Sequence, residues 1–249
     1  MRFCRRSIGG MKMSLYKVVL LSGAAAFASS AVLAAEFQGK NIPLRASDVM
    51  GFHGVTAHTQ LSPAGDAKTA KCGTAFGAEL PTPDGIISWS DTTGTGYNTG
   101  AAADFTCASK TKIKQVWVKG FQGANTEQFN VTFYKNSGAN GSDEPNDSQV
   151  VCAYTGLIGS AGGGYGNMPK LKLPTPCKFK AGKKYWVEVQ NNDSLGPWYW
   201  EVTSKLSGTQ ADWVDRNNKF GDGCTALDND EYLQQCLGYT YPDYMLELH

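Results

Sequence analysis

The stretch of residues 183–202 constrains the fold more than any other part of the chain. Tyr185, Val187 and Val189 alternate with Trp186, Glu188 and Gln190, and the alternation resumes in residues 198–202 after a turn-rich loop over 191–197. Such a period of two is typical of half-buried β-strands, and clustered Asn, Asp, Ser, Gly and Pro are typical of turns. The stretch therefore predicts two strands that form a hairpin, with three of the six tryptophans of the chain on them.

Similar short runs recur along the chain and predict an all-β domain. In residues 129–134, for example, Phe129, Val131 and Phe133 share one face, as in a half-buried antiparallel strand. No window of ten residues after the first 35 has convincing helical periodicity, so helix should be a minor component. We expect an antiparallel, jelly-roll-like β-sandwich over residues 81–249. The predicted strands are 86–90, 104–107, 113–119, 129–135, 150–154, 170–173, 185–190, 198–202, 212–215 and 244–248.

The first 35 residues have the pattern of an export signal. Five basic residues precede or enter a short apolar run over 18–32, and Leu33-Ala34-Ala35 offers a cleavage site before Glu36. The run is too short to span a membrane, so we expect no membrane insertion and a secreted protein, extracellular or periplasmic. Cleavage leaves 18 basic and 22 acidic side chains, a net charge of −4. Nucleic acid is then not an expected partner.

The cysteines of the mature chain predict disulfides. Six remain after the signal, and an even number in an exported chain is typical of disulfide bonding. Fifteen pairings are open, but loop closure and spacing favour neighbours in sequence. The alternative, a zinc site, lacks the paired CxxC spacing. The favoured pairs are Cys72 with Cys107, Cys152 with Cys177 and Cys224 with Cys236, each of which would contribute about 2–4 kcal/mol.

Residues 36–80 are polar and weakly patterned, and Gly51, Gly54, Pro63 and Gly65 interrupt any regular element. We expect an extended N-terminal segment that lies over the domain. It holds His53 and His58, two of the three histidines of the chain.

The order of several short motifs resembles an uncharacterised all-β module of bacterial secreted proteins. The resemblance covers about residues 86–248 and includes the runs 117–121, 131–134, 185–190, 220–224 and 243–248. It implies a β-sandwich and no defined activity. The chain departs from that module by having a single Asp before Phe105 and by the cysteines at positions 72, 107, 152 and 177.

The aromatic side chains of the stretch 183–202 are the candidate ligand-binding residues. An aromatic face can stack on a sugar ring, and Trp198, Tyr199 and Trp200 directly follow a loop. Alternation places Trp198 and Trp200 on one face, where we expect core packing, and leaves Tyr199 and Trp186 as the better candidates for exposure.

Catalytic patterns are weaker. A Ser-His-Asp site would need His53 or His58, and no Gly-x-Ser-x-Gly motif accompanies them. Glu188 and Glu201 would face each other across a hairpin as a glycosidase pair, or else each would pair with a lysine on the outer surface. We therefore expect no enzyme.

Metal sites are a further alternative. Met50, His53 and His58 include ligand types that copper accepts. The acidic loops 140–147 and 228–231 offer oxygen ligands for calcium, although neither follows the EF-hand spacing, and a solvated turn is the simpler interpretation of each. We expect no cofactor.

The sequence therefore favours a secreted, non-catalytic β-sandwich protein that acts by surface contact, in adhesion, in an extracellular matrix or beside exported enzymes. Its partner would be a polysaccharide or a cell-surface or matrix protein. The alternatives are a carbohydrate-binding module that uses the aromatics of the stretch 183–202, and an exported hydrolase.

Overall fold

The computed structural model describes residues 71–74, 84–92, 94, 96–122, 128–136, 143–159, 169–192, 197–221, 223–227, 233–237 and 243–249. All of them belong to one compact unit, Gln38–His249. The predicted signal and residues 36–70 of the predicted extension lie outside the described residues, as do all of residues 75–83.

The described residues form twelve strands and one helix of five residues. Every predicted strand is present, most of them longer than predicted, and the run at 244–248 divides into two strands. The sequence patterns missed β4. The elements are β1 (Gly85–Ile87), β2 (Thr99–Thr106), β3 (Thr111–Val118), β4 (Gly120–Gln122), β5 (Gln128–Asn136), β6 (Pro145–Ile158), β7 (Lys170–Phe179), β8 (Lys184–Asn191), β9 (Trp198–Thr203), β10 (Asp212–Asp215), α1 (Leu233–Leu237), β11 (Asp243–Tyr244) and β12 (Leu246–Leu248).

The strands form three antiparallel sheets. The five-stranded sheet has the order β10-β2-β8-β5-β6, the four-stranded sheet has β1-β9-β11 with β4 also paired to β9, and the three-stranded sheet has β12-β3-β7. Two continuous segments of the chain run through both smaller sheets: β3 continues into β4 through Lys119, and β11 continues into β12 through Met245. The two smaller sheets therefore form one layer, and the chain alternates between this layer and the five-stranded sheet at most connections.

Aromatic side chains fill the space between the two layers. Phe105 of β2 contacts Phe179 of β7, with ring centroids 5.0 Å apart, and Phe129 of β5 contacts Trp198 of β9 at 5.3 Å. All four rings are buried, and each contributes roughly 1.5–3 kcal/mol by leaving water. The architecture is thus the expected antiparallel, jelly-roll-like sandwich.

The disulfides follow the pairing between neighbours that the sequence favoured. The bridge between β6 and β7 joins edge strands of the two layers and closes them on one side. Three bridges indicate a chain that folds in an oxidising compartment. They link Cys72 to Cys107, Cys152 to Cys177 and Cys224 to Cys236.

The prediction of a hairpin over residues 183–202 is wrong. Strand β8 pairs with β2 and β5, whereas β9 pairs with β1, β4 and β11. Both edges of β8 are already occupied, so the chain must leave the five-stranded sheet and enter the opposite layer. The two strands are consecutive in sequence but belong to different layers.

Candidate functional site

Two of the four candidate binding aromatics, Trp198 and Trp200, lie in the core. The indole of Trp198 packs edge to face on Phe129. The indole of Trp200 stacks on Tyr244, with centroids 4.8 Å apart, and its Nε1 donates to the carbonyl oxygen of Met245 at 2.8 Å. The expectation of core packing is confirmed for both.

Trp186 points away from this core, as alternation predicts, but it is fully buried. Its Nε1 donates to Asn136 Oδ1 at 2.7 Å. A second apolar cluster surrounds it on the outer face of the five-stranded sheet, built from Ala102, Tyr134, Val214 and Leu227.

Two segments cover this outer face. The backbone N–H of Thr209 donates to Asp104 Oδ2 at 3.2 Å, and that of Leu227 donates to Asp147 Oδ2 at 3.2 Å. Without these segments the outer face of the five-stranded sheet would be exposed to solvent. With them, both faces of the sheet are buried around Trp186.

Tyr199 is also fully buried, and burial raises the pKa of its phenol well above the ordinary value. It lies in the middle of its sheet, with β1 on one side and β4 and β11 on the other. The expected exposure of Trp186 and Tyr199 is wrong, because alternation predicts which face a ring occupies and not whether another segment covers that face.

Glu188 and Glu201 do not form a pair, since they belong to different layers. Glu188 accepts two hydrogen bonds from Arg216, at 2.8 and 3.0 Å, and one from the hydroxyl of Tyr134 at 2.6 Å. Glu201 forms an ion pair with Lys119 at 3.2 Å. Each carboxylate thus has a cationic partner, but that of Glu188 is an arginine rather than the expected lysine, and both carboxylates are buried rather than solvent-facing.

The buried Glu188 carboxylate shifts the pKa values of Tyr134 and Arg216 and limits the space at Gly100. Burial raises the pKa of the Tyr134 phenol, and the adjacent Glu188 carboxylate raises it further. Burial opposes the charge on Arg216, but Glu188 outweighs it and raises the pKa of the guanidinium. A Cβ atom at Gly100 would collide with the Glu188 carboxylate, so glycine is required there for the pair to lie flat on the sheet.

A second polar cluster surrounds Asp104 at the same outer face. Burial raises the pKa of Asp104 to about 6, although the Thr209 N–H and the Lys184 ammonium both favour its charged form. Lys184 lies 3.5 Å from Asp104 and 2.9 Å from Asp143. The hydrogen bond from Lys184 lowers the pKa of Asp143. The cluster ties the 143–147 and 204–209 segments to the sheet.

The other predicted sites lie wholly or partly outside the described residues. These are Met50, His53, His58, loop 228–231 and residues 140–142 of loop 140–147. Among the residues that the structure describes, no three His, Cys, Asp or Glu side chains lie close enough to hold a metal ion. In the same part of the chain, no helix is long and apolar enough to span a membrane.

The outer face of the three-stranded sheet carries a set of exposed cations, which we name the lysine face. Strand register places Lys112 opposite Lys178 and Lys172 opposite Gln115, and Lys170 completes the row on β7. The neighbouring residues Ile113 and Leu171 are fully buried, so these lysines point outward. The face comprises Lys71, Lys112, Lys114, Lys170, Lys172 and Lys178, all of them exposed.

Trp117 is a half-buried aromatic on this face. Register places it between Lys170 of β7 and Glu247 of β12. The Lys170 ammonium lies 3.9 Å from the centroid of the indole, and Nε1 donates to Gln115 Oε1 at 2.9 Å. Glu247 is buried and hydrogen-bonded to His249, so the exposed charges here are positive.

The sequence patterns missed the lysine face, although a signal was present. The runs 112–114, 170–173 and 177–180 each alternate lysine with a buried residue. The second run is a predicted strand and the first overlaps one, whereas 177–180 lies outside the predicted strands. In one strand such a pattern indicates a solvated face. Only the pairing of β3 with β7, which are distant in sequence, gathers the lysines on one surface.

Comparisons of the whole chain with known protein families, with characterised proteins and with solved structures find no match, so the resemblance to a bacterial secreted module stays a prediction.

Proposed function

We propose that the chain is a secreted, non-catalytic β-sandwich protein that acts by surface contact, in adhesion, in an extracellular matrix or beside exported enzymes. The single observation that carries the proposal is the lysine face. Six exposed lysines share one sheet surface of a protein whose predicted mature charge is negative. Segregated charge of this kind directs a protein to a surface of the opposite sign.

The cross-strand pair Lys112 and Lys178 supports this interpretation. Like charges directly opposite each other in a ladder destabilise the sheet. None of the six lysines forms an ion pair within 4.0 Å with a carboxylate of the described residues. An external anion would relieve the repulsion that the fold itself leaves in place.

The alternative of a carbohydrate-binding module built on Trp186 and Tyr199 gains no support from the structure, because both rings are buried. The hydrolase alternative depends on His53 and His58, which lie outside the described residues.

Adsorption to charged surfaces tests the proposal. The disulfide-intact protein is passed over carboxymethyl and uncharged beads of the same matrix at neutral pH and low ionic strength. We expect retention on the carboxymethyl surface, despite the negative net charge, and release by salt, because screening weakens contacts between exposed charges. Passage through both columns without retention would contradict surface contact by the lysine face.

A further inference from the structure

We infer that the lysine face binds an acidic polysaccharide, a linear polymer with carboxylate or sulfate groups along its chain. The inference rests on the proposed function and names the partner class. Four observations lead to it: the dimensions of the face, the type of its cations, the aromatic ring among them and the position of the exposed apolar side chains.

The face has the shape of a strip. Lys170, Lys172 and Lys178 lie along β7. Lys170 and Lys178 pair with Trp117 and Lys112 of β3, and five residues of an antiparallel strand span about 17 Å. Lys112 lies directly across from Lys178 on β3, about 5 Å away between backbones. Cations spaced along an extended strip match a linear polyanion better than they match a single small anion.

Every cation of the face is a lysine. Arginine, with its planar fork, is the preferred residue for phosphate and nucleic-acid recognition, whereas the lysine ammonium is a point charge without a fixed geometry. Only Arg45 and Arg216 remain after residue 35, and Arg216 is occupied by Glu188. The cation type therefore favours scattered carboxylates or sulfates over a regular phosphate backbone.

Trp117 adds an aromatic surface beside the cations. The Lys170 side chain lies over the indole, and the ring of His249 packs on it with centroids 4.0 Å apart. Rotation of Lys170 toward an anion would expose the part of the indole that Lys170 covers. An indole beside an ammonium suits a sugar that has an apolar ring face and a charged substituent.

The exposed apolar side chains argue against a membrane as the partner. Surface-bound membrane proteins combine basic residues with apolar side chains that enter the lipid. The large hydrophobic side chains exposed among the described residues are Val150, Ile158 and Leu206. Two belong to β6 and the third to the segment after β9, so none lies on the three-stranded sheet.

A simpler explanation is that lysines protect an edge strand from pairing with other chains. It applies to β7, which is an edge strand and contains Pro174 and Pro176. It does not apply to Trp117, which lies between β12 and β7, or to Lys114, whose backbone N–H donates to the carbonyl oxygen of His249, directly after β12.

The experiment measures binding of the disulfide-intact protein to polygalacturonate, with dextran, duplex DNA and vesicles of anionic phospholipid as comparison probes. The test variant combines Lys112→Gln, Lys172→Gln and Lys178→Gln. The matched control combines Lys135→Gln, Lys205→Gln and Lys219→Gln, which removes the same charge from exposed lysines elsewhere.

We expect binding to polygalacturonate that salt abolishes, and none to dextran. The test variant should bind about tenfold more weakly, and the control should stay within about twofold of the original protein. Equal weakening of both variants would overturn the inference, because net charge alone would then explain binding. Tighter binding to DNA or to vesicles than to polygalacturonate would also overturn it.

A circular dichroism melt establishes that the test variant is folded, and gel filtration establishes that it is monomeric. If the test variant aggregates, as edge protection predicts, the single change Lys114→Gln replaces it in the binding experiment. Lys114 lies on β3, the central strand of the three-stranded sheet. We expect about a twofold to threefold weaker interaction from that single change. Undiminished affinity would overturn the inference. Retention on carboxymethyl beads without preference for polygalacturonate would leave the proposed function standing and reject the acidic polysaccharide.

Discussion

Truncation of Trp186 to alanine tests the covered outer face of the five-stranded sheet. The indole is fully buried and its Nε1 is hydrogen-bonded to Asn136. Loss of a buried tryptophan side chain costs about 3–5 kcal/mol, of which the hydrogen bond supplies about 1 kcal/mol. Trp186→Phe keeps most of the apolar contact, so it should cost about 1–2 kcal/mol.

The assay is guanidinium titration of the oxidised protein followed by far-ultraviolet circular dichroism. We expect a lower midpoint with an unchanged slope, which reports a change in stability alone. Trp117→Ala is the control. Its ring is half-buried, and the loss of its contact with Lys170 and its hydrogen bond should cost about 1–2 kcal/mol. A cost for Trp186→Ala no greater than that of the control would refute the burial of Trp186.

Two further predictions concern stability. The pKa of Asp104 is raised from 3.8 to about 6. Between these pH values the folded protein therefore holds a proton that the unfolded chain has released. As a result, this group lowers the free energy of unfolding as pH rises. Asp104→Asn should remove up to about 3 kcal/mol of that decline. In urea titrations, the difference in unfolding free energy between the variant and the original protein should grow from pH 4 to pH 7. Parallel pH profiles of the two proteins would contradict the prediction. Replacement of Cys152 and Cys177 by alanine opens a loop with a sequence separation of 25. It should lower the free energy of unfolding in the same titration by about 3.5 kcal/mol. A loss under about 1 kcal/mol would show that the bridge does not restrict the unfolded chain.

Local patterns predicted the strands well because period-two alternation is a property of each strand by itself. Strand β10 has the predicted bounds, and β5 extends one residue further at each end. The disulfides were predictable from spacing, since short loops close at the lowest entropic cost. Alternation also placed Trp186 on the face opposite Val187, as the structure has it.

Pairing between distant strands was not predictable in this way. The consecutive strands β8 and β9 suggested a hairpin, but β8 already has β2 and β5 at its edges. The cover over Trp186 comes from segments near Thr209 and Leu227, whose polar sequences give no sign of where they pack. The lysine face was missed for the same reason, because it exists only through the pairing of β3 with β7.

Protection of lysines from an amine-reactive label tests the lysine face most directly. The oxidised protein is labelled at low salt with and without polygalacturonate, and the modified positions are read by peptide mass spectrometry. We expect protection of Lys112, Lys172 and Lys178, whereas Lys135 and Lys219 should label as before. Uniform protection of all five lysines, or protection of Lys135 and Lys219 instead, would contradict it.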